Sequence, residues 1–286
     1  MKPPKIKKIL VPFLLKDKYR NSFKVAEEIA NKSGAVMTIY SLFEPGFLQK
    51  SYTTMVGDEK DENYKKEISA IKEAIVDYSK YLNLRKGQIK IKVEVGNMNE
   101  KIIELANKEK FDLIVLPDKQ KTPADRMMAE IHPLEIMKYA KCPVISVNRN
   151  LNNYRIRKIV VPIRNVSNWF DKIPFVAEIA NLTGAEIFLI GVVNSMAKNI
   201  TTKIDNQLIK CASYFREREI NFEISRNYGH GEPYHDVINL AAYKRADLIA
   251  VSAPVDYHQL QSYFNNNFYN KIISNGDTPV LGVSMS

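Results

Sequence analysis

The chain has 286 residues, 45% hydrophobic and 26% charged, the balance of an ordinary globular protein. No run approaches the roughly 18 apolar residues that a membrane crossing needs, and two cysteines, Cys142 and Cys211, build neither a disulfide framework nor a metal set. The net charge of +10 is uneven: residues 1–150 carry 28 Lys and Arg against 20 Asp and Glu, and residues 151–286 carry 14 against 12. The lysines alternate with glutamates along helices, as in DEKDENYKKE, which reads as solvated surface, so a nucleic-acid partner is not expected. The amino-terminal MKPPKIKKILVPF holds an apolar stretch of about six residues, too short for a signal-peptide core and without a small-residue cleavage site. It reads as a first strand, and the cytoplasm is the expected location.

In chain order, Ile9-Leu10-Val11 closed by Pro12 suits a buried parallel strand. Residues 18–33 have helical spacing, with Phe23, Ala26, Ile29 and Ala30 on one side and Gly34 where a helix ends. Ala35 to Leu42 is a second strand. A polar stretch from Glu44 to about Asp58 reads as a long loop, and residues 45–66 have no equally long counterpart later in the chain. Ile68, Ile71, Ile75 and Tyr78 mark a helix, and Ile89, Ile91 and Val93 alternate with charged residues as a third strand near an edge. Gly96 leads into a helix with Ile102, Ile103, Leu105 and Ala106. Asp112 to Leu116 is a fourth strand, a helix runs to about Ala140, and Pro143 to Val147 is a fifth strand.

The order then repeats. Residues 7–44 align without a gap on residues 157–194, with ten of 38 positions identical, among them Pro12 with Pro162 and Gly34 with Gly184. Later landmarks pair too: Gly96 with Gly231, Asp112-Leu113-Ile114 with Asp247-Leu248-Ile249, and Pro143-Val144 with Pro279-Val280. Strands are expected near 157–163, 186–193, 221–227, 247–252 and 279–284. Two copies of one unit, residues 1–149 and 150–286, are therefore expected, joined by the polar stretch 148–156. Alternating strands and helices imply parallel sheets covered on both faces.

The ILVP and IVVP openings, the Gly-Ala before strand two, the Gly231 and Pro233 turn, the DLIVL and DLIAV strands and the terminal CPVISV and TPVLGV strands resemble the universal stress protein family in tandem form. The resemblance implies, for each unit, a Rossmann-like (adenine nucleotide alpha hydrolase-like) five-stranded sheet of order 3-2-1-4-5. It also implies antiparallel pairing of the last strands, Val144–Val147 with Val280–Val283, as an internal pseudo-dimer to which a homodimer would be secondary. In the family's nucleotide-binding branch an acidic residue after strand one meets the adenosine, and a G-x2-G-x9-G-(S/T) loop after strand four wraps the phosphates. Here the acidic position holds Leu14 and Arg164. The glycine positions fall on Pro117, Gln120 and Glu130 in the first unit and near Ser252, Val255 and Asn266 in the second. A phosphate cradle needs backbone N–H groups at close range, which a Cβ obstructs. Glu130 would add like-charge repulsion on the order of 3 kcal/mol at about 5 Å and an effective dielectric near 20.

Other constellations have plainer readings. His230, His235 and Asp236 cluster in YGHGEPYHD, with His258 later in the chain, but the spacing fits a strand-to-helix turn better than a zinc site. Cys142 before Pro143 and Cys211 beside Leu208 and Phe215 read as small buried side chains. Trp169 and Phe170 follow strand one of the second unit as a packed helix start. The sequence thus implies a stress-response regulatory or binding protein without catalytic activity, acting on a protein or small ligand, with no cofactor and no metal. The competing reading keeps ATP in one unit through Lys119, Lys121 or Arg164, with weak hydrolysis.

Overall fold

The computed structural model describes residues 4–13, 20–43, 58–95, 97–117, 131–147, 154–193, 198–227, 232–253 and 268–283. The first half of the chain contributes β1 (Lys8–Phe13), α1 (Arg20–Ser33), β2 (Val36–Phe43), α2 (Asp58–Ser79), β3 (Ile89–Val95), α3 (Met98–Lys108), β4 (Leu113–Pro117), α4 (Pro133–Tyr139) and β5 (Val144–Val147). The second half contributes β6 (Lys158–Ile163), α5 (Lys172–Thr183), β7 (Glu186–Val192), α6 (Lys198–Arg216), β8 (Phe222–Asn227), α7 (Pro233–Lys244), β9 (Leu248–Ser252), α8 (Phe268–Asn275) and β10 (Val280–Val283). This is an α/β fold. The backbone is helical from Asp58, where the expected polar stretch ends, so the later part of residues 45–66 belongs to α2.

The strands form one ten-stranded sheet in the order β3-β2-β1-β4-β5-β10-β9-β6-β7-β8. Each neighbouring pair is parallel except β5 and β10, where Leu281 faces Ile145 and Gly282 faces Val144 in antiparallel register. Successive side chains of a strand point to opposite faces. Ile9 and Val11 therefore enter one core layer with Ile29, Ile159 and Ile179, while Leu10 enters the other with Ile114, Ile136 and Ile272. Both layers run through both halves of the chain.

The repeated residues do repeated work. Gly34 and Gly184 end α1 and α5 at φ 74° and 72°, with their N–H groups donating to Ala30 and Ala180. A Cβ is disfavoured in that left-handed conformation, so both copies keep glycine. The Asp112 carboxylate accepts the Lys7 and Lys8 N–H groups at 2.8 and 2.9 Å, and Asp247 accepts those of Arg157 and Lys158 at 2.8 and 3.0 Å. The aspartate of each Asp-Leu-Ile motif thus ties the start of its fourth strand to the start of its first.

The seam between the halves is tightly packed. Ser146 and Tyr269 share a buried 2.7 Å hydrogen bond across it. A Cβ on Gly282 would run into the Met137 thioether and lie 3.2 Å from the Tyr269 ring. Gly282→Val should therefore cost about 1–3 kcal/mol through overpacking, read as a lower urea midpoint with an unchanged m-value.

Candidate functional site

In a doubly wound sheet the ligand crevice opens at the carboxyl ends of the strands, where the strand order reverses. In the second half that place lies at the ends of β6 and β9, which are paired in the sheet. Arg164 leaves β6 there, and its guanidinium carbon stands 4.0 Å from the centroid of the Phe268 ring. Ser252 is the last residue of β9. Between them the turn 167–171 leads into α5, and its polar groups close on the end of β9.

The closure is a short hydrogen-bonded chain. The Asn168 amide donates to the Ala253 carbonyl at 2.6 Å, and the Ser252 hydroxyl donates to the Asn168 carbonyl at 3.1 Å. The Lys172 ammonium donates to the Trp169 carbonyl at 2.8 Å and to the Ser252 hydroxyl oxygen at 3.0 Å. Lys172 is only 1% exposed. Burial pushes its amine down to about 8; the nearby Cys211 and Asp171 oppose that shift and the Arg164 guanidinium adds to it. A lysine in the first turn of a helix also meets the positive end of the helix dipole. Its position therefore depends on the carbonyl and hydroxyl that receive it. The aligned residue of the first copy is Ser22, which is fully buried.

Trp169 and Phe170 seat the turn from the other side. Their rings meet edge-on at 5.2 Å, Phe170 meets Tyr214 of α6 at 5.6 Å, and Lys210 reaches within about 6 Å of both rings. Trp169 accordingly packs as a helix-start residue. At the corresponding ends of β1 and β4, Phe13, Phe23 and Tyr78 form an aromatic cluster, with Phe23 and Tyr78 centroids 4.9 Å apart, and Pro117 is buried at the end of β4.

Of the positions singled out from the sequence, the structure brings Arg164 and Ser252 to the same crevice. Leu14, Gln120, Glu130, Val255 and Asn266 lie outside the described residues, as do Lys119, Lys121, His230 and His258. His235 is exposed on α7 with its ring against Tyr234. Among the described residues no three His, Cys, Asp or Glu side chains gather as a metal site. Cys142 and Cys211 are both buried, and burial pushes each thiol up to about 12, so neither is a thiolate at neutral pH. Sequence reasoning missed Lys172 and Asn168. The signal was there: the 150-residue offset sets Lys172 against Ser22, a charge on a helix face that is otherwise apolar.

The universal stress protein family model matches residues 5–148. The chain belongs to the universal stress protein family. Among solved structures it is similar to a universal stress protein from Archaeoglobus fulgidus DSM 4304, with a TM-score of 0.69 at 15% identity over 97% of this chain and 96% of that one. A protein of unknown function from Pseudomonas aeruginosa PAO1 superimposes with a TM-score of 0.60 at 13% identity, covering 97% and 92% of the two chains. A putative universal stress protein from Pseudomonas aeruginosa UCBPP-PA14 does so at 0.57 and 14%, covering 97% and 93%. At these identities the likeness is one of fold. No curated protein matches the chain in sequence.

The Lys172 environment sets a measurable pH dependence. Its folded value lies below the unfolded 10.5, so between about pH 8 and 10.5 the unfolded chain binds more protons and stability rises with pH. The rise attributable to this group is about 3 kcal/mol. Urea unfolding at pH 7.5, 9 and 10.5 should show that increment in the wild type and not in Lys172→Met; parallel profiles would refute the assignment.

Proposed function

We propose that this chain is a non-catalytic binding protein of the universal stress type, one that has given up the family's nucleotide cradle. Residues 1–149 and 150–286 act as two tandem units, each a 3-2-1-4-5 sheet, fused as an internal pseudo-dimer through Val144–Val147 and Val280–Val283. The observation that carries the reading is the Lys172–Ser252–Asn168 chain, which uses the polar groups at the second crevice for internal contacts. A nucleotide entering there would have to break these bonds and meet Arg164 where the family's adenosine-binding acid would stand. It would also find Ser252 in place of the first loop glycine, so one close backbone approach is lost.

A binding role without chemistry accords with the reactive groups at hand. Both thiols are held protonated by burial, and the acyl-transfer signature G-x-S-x-G is absent from the sequence. The paired units then serve as a rigid platform for a protein or small-molecule partner, and the cytoplasm is the proposed location.

Isothermal titration with ATP and magnesium tests this. The expected result is no binding tighter than about 1 mM, equivalent to roughly 4 kcal/mol. A micromolar constant, or adenine nucleotide retained through purification and seen by native mass spectrometry, would overturn the reading in favour of a degenerate ATP site with slow hydrolysis.

A further inference from the structure

The parallel strands β1 to β5 all begin at one edge of the sheet: Lys8 is level with Val36, Met37 with Ile89, and Ile114 with Val144. Each helix-to-strand turn of the first half delivers its residues to that edge, and cations dominate there. The turn into β3 brings Arg85 and Lys86, with Lys90 just inside the strand. The turn into β4 brings Lys108 and Lys110 on either side of the exposed Glu109, and the turn into β5 brings Lys141. These side chains are exposed. Two large aromatic rings stand among them: Tyr81, 79% exposed in the turn after α2, and Tyr139, 50% exposed at the end of α4, with the Lys138 ammonium 4.5 Å from its ring centroid.

Two ordinary explanations for lysines at this place fall short. Cations complement the carboxyl ends of helices, and charges on an edge strand discourage unwanted strand pairing. Both needs arise equally in the second copy, which has the same helices and its own edge strand β8. Counted from the matching strand starts, however, Lys86 has Glu219 as its counterpart, Lys90 has Glu223 and Lys141 has Asp277. Tyr139 has Asn275. Arg85 and Lys110 keep their charge in the second copy as Arg218 and Arg245, but the fold accepts either sign at positions 86, 90 and 141, so the positive charge there is not a requirement of folding.

We propose that this strand-entry edge of the first unit is a binding surface for single-stranded nucleic acid, independent of whether either crevice holds a ligand. β3 and β5 are four strand spacings apart, about 19 Å. That span suits the short end of the roughly 4–16 nucleotides covered by single-strand grooves. Lysines and Arg85 track the phosphates, and Tyr81 and Tyr139 offer ring faces on which unpaired bases stack. A duplex keeps its base faces buried, and an acidic protein has none to offer, which is why the exposed rings favour a single strand. The even lysine–glutamate alternation read in the sequence belongs to α2; at this edge Glu109 and Asp112 balance Lys108 and Lys110, and the excess of cations comes from the turns into β3 and β5.

The test is fluorescence anisotropy of a labelled 12-nucleotide oligothymidylate with the full chain. Micromolar binding is expected at 50 mM NaCl, weakening about 50-fold at 200 mM for about four phosphate contacts. Replacing Lys86→Glu, Lys90→Glu and Lys141→Asp, the residue types the second copy carries, should leave the thermal midpoint near the wild type and weaken binding at least tenfold. If that triple variant loses stability, glutamine at the same three sites gives the same reading. Tyr81→Ala with Tyr139→Ala should weaken binding at least fivefold while leaving the salt slope unchanged. The proposal is overturned if oligothymidylate fails to bind at 50 mM, or if a duplex, polyglutamate or phosphatidylserine vesicles bind as tightly. An undiminished affinity in the triple variant would overturn it as well.

Discussion

The antiparallel contact between β5 and β10 is the constraint on which the rest of this molecule depends. Each of these strands has a parallel neighbour on one side, β4 and β9 respectively, and an apolar edge on the other. An unpaired row of backbone donors and acceptors flanked by Val, Ile and Leu side chains invites association with another chain. Pairing the two edges within one chain satisfies those groups and leaves β3 and β8 as the outer edges, of which β3 alternates Ile and Val with charged residues and β8 carries Glu223 and Arg226.

The seam also brings helices together that belong to different halves. α1 packs against α5 in the layer that contains Ile29 and Ile179. The buried Glu28 carboxylate receives Arg155 at 2.9 Å, and Lys5 draws the titration of Glu178 down against the upward pull of burial. Glu28 aligns with Glu178, and Lys5 with Arg155, at the 150-residue offset. The Arg155–Glu28 ion pair and the Lys5–Glu178 attraction thus fall at equivalent positions of the sequence alignment. Since the Arg155 side chain is largely exposed, such a pair fixes register more than it adds stability. A consequence of the antiparallel seam is that the strand-exit end of the second half, with Arg164 and the Lys172 network, lies on the same sheet edge as the strand-entry end of the first.

Much of the fold was legible in the sequence because the signals were local and stated twice. Apolar runs of strand length and glycine at the helix ends carry their meaning in a few residues, and Gly34 with Gly184 read correctly as a pair, whereas Pro12, expected to close strand one, lies inside β1 opposite Tyr40. The Asp-Leu-Ile motif was located but its role was not, since Asp112 reaches Lys7 and Lys8 over a hundred residues away and no periodicity reports such a bond. The same limit applied at the crevice. Arg164 was found by its departure from a family pattern, whereas Lys172 acts through Ser252, 80 residues distant, a contact that no local pattern reports. The basic edge escaped notice for a related reason. Its residues come from separate turns, and only the topology of a parallel sheet sets those turns side by side.

The central claim is that the chain is held as one continuous sheet by β5 and β10. Native-state amide hydrogen exchange tests it most directly. In a continuous sheet the amides of Val144–Val147 and Val280–Val283 are bonded on both sides of each strand, so all should exchange as slowly as those of β1 and β6, near the global unfolding limit. If alternate amides along β5 and β10, those pointing across the seam, exchange rapidly while the rest remain protected, the two halves are not joined there and the account fails.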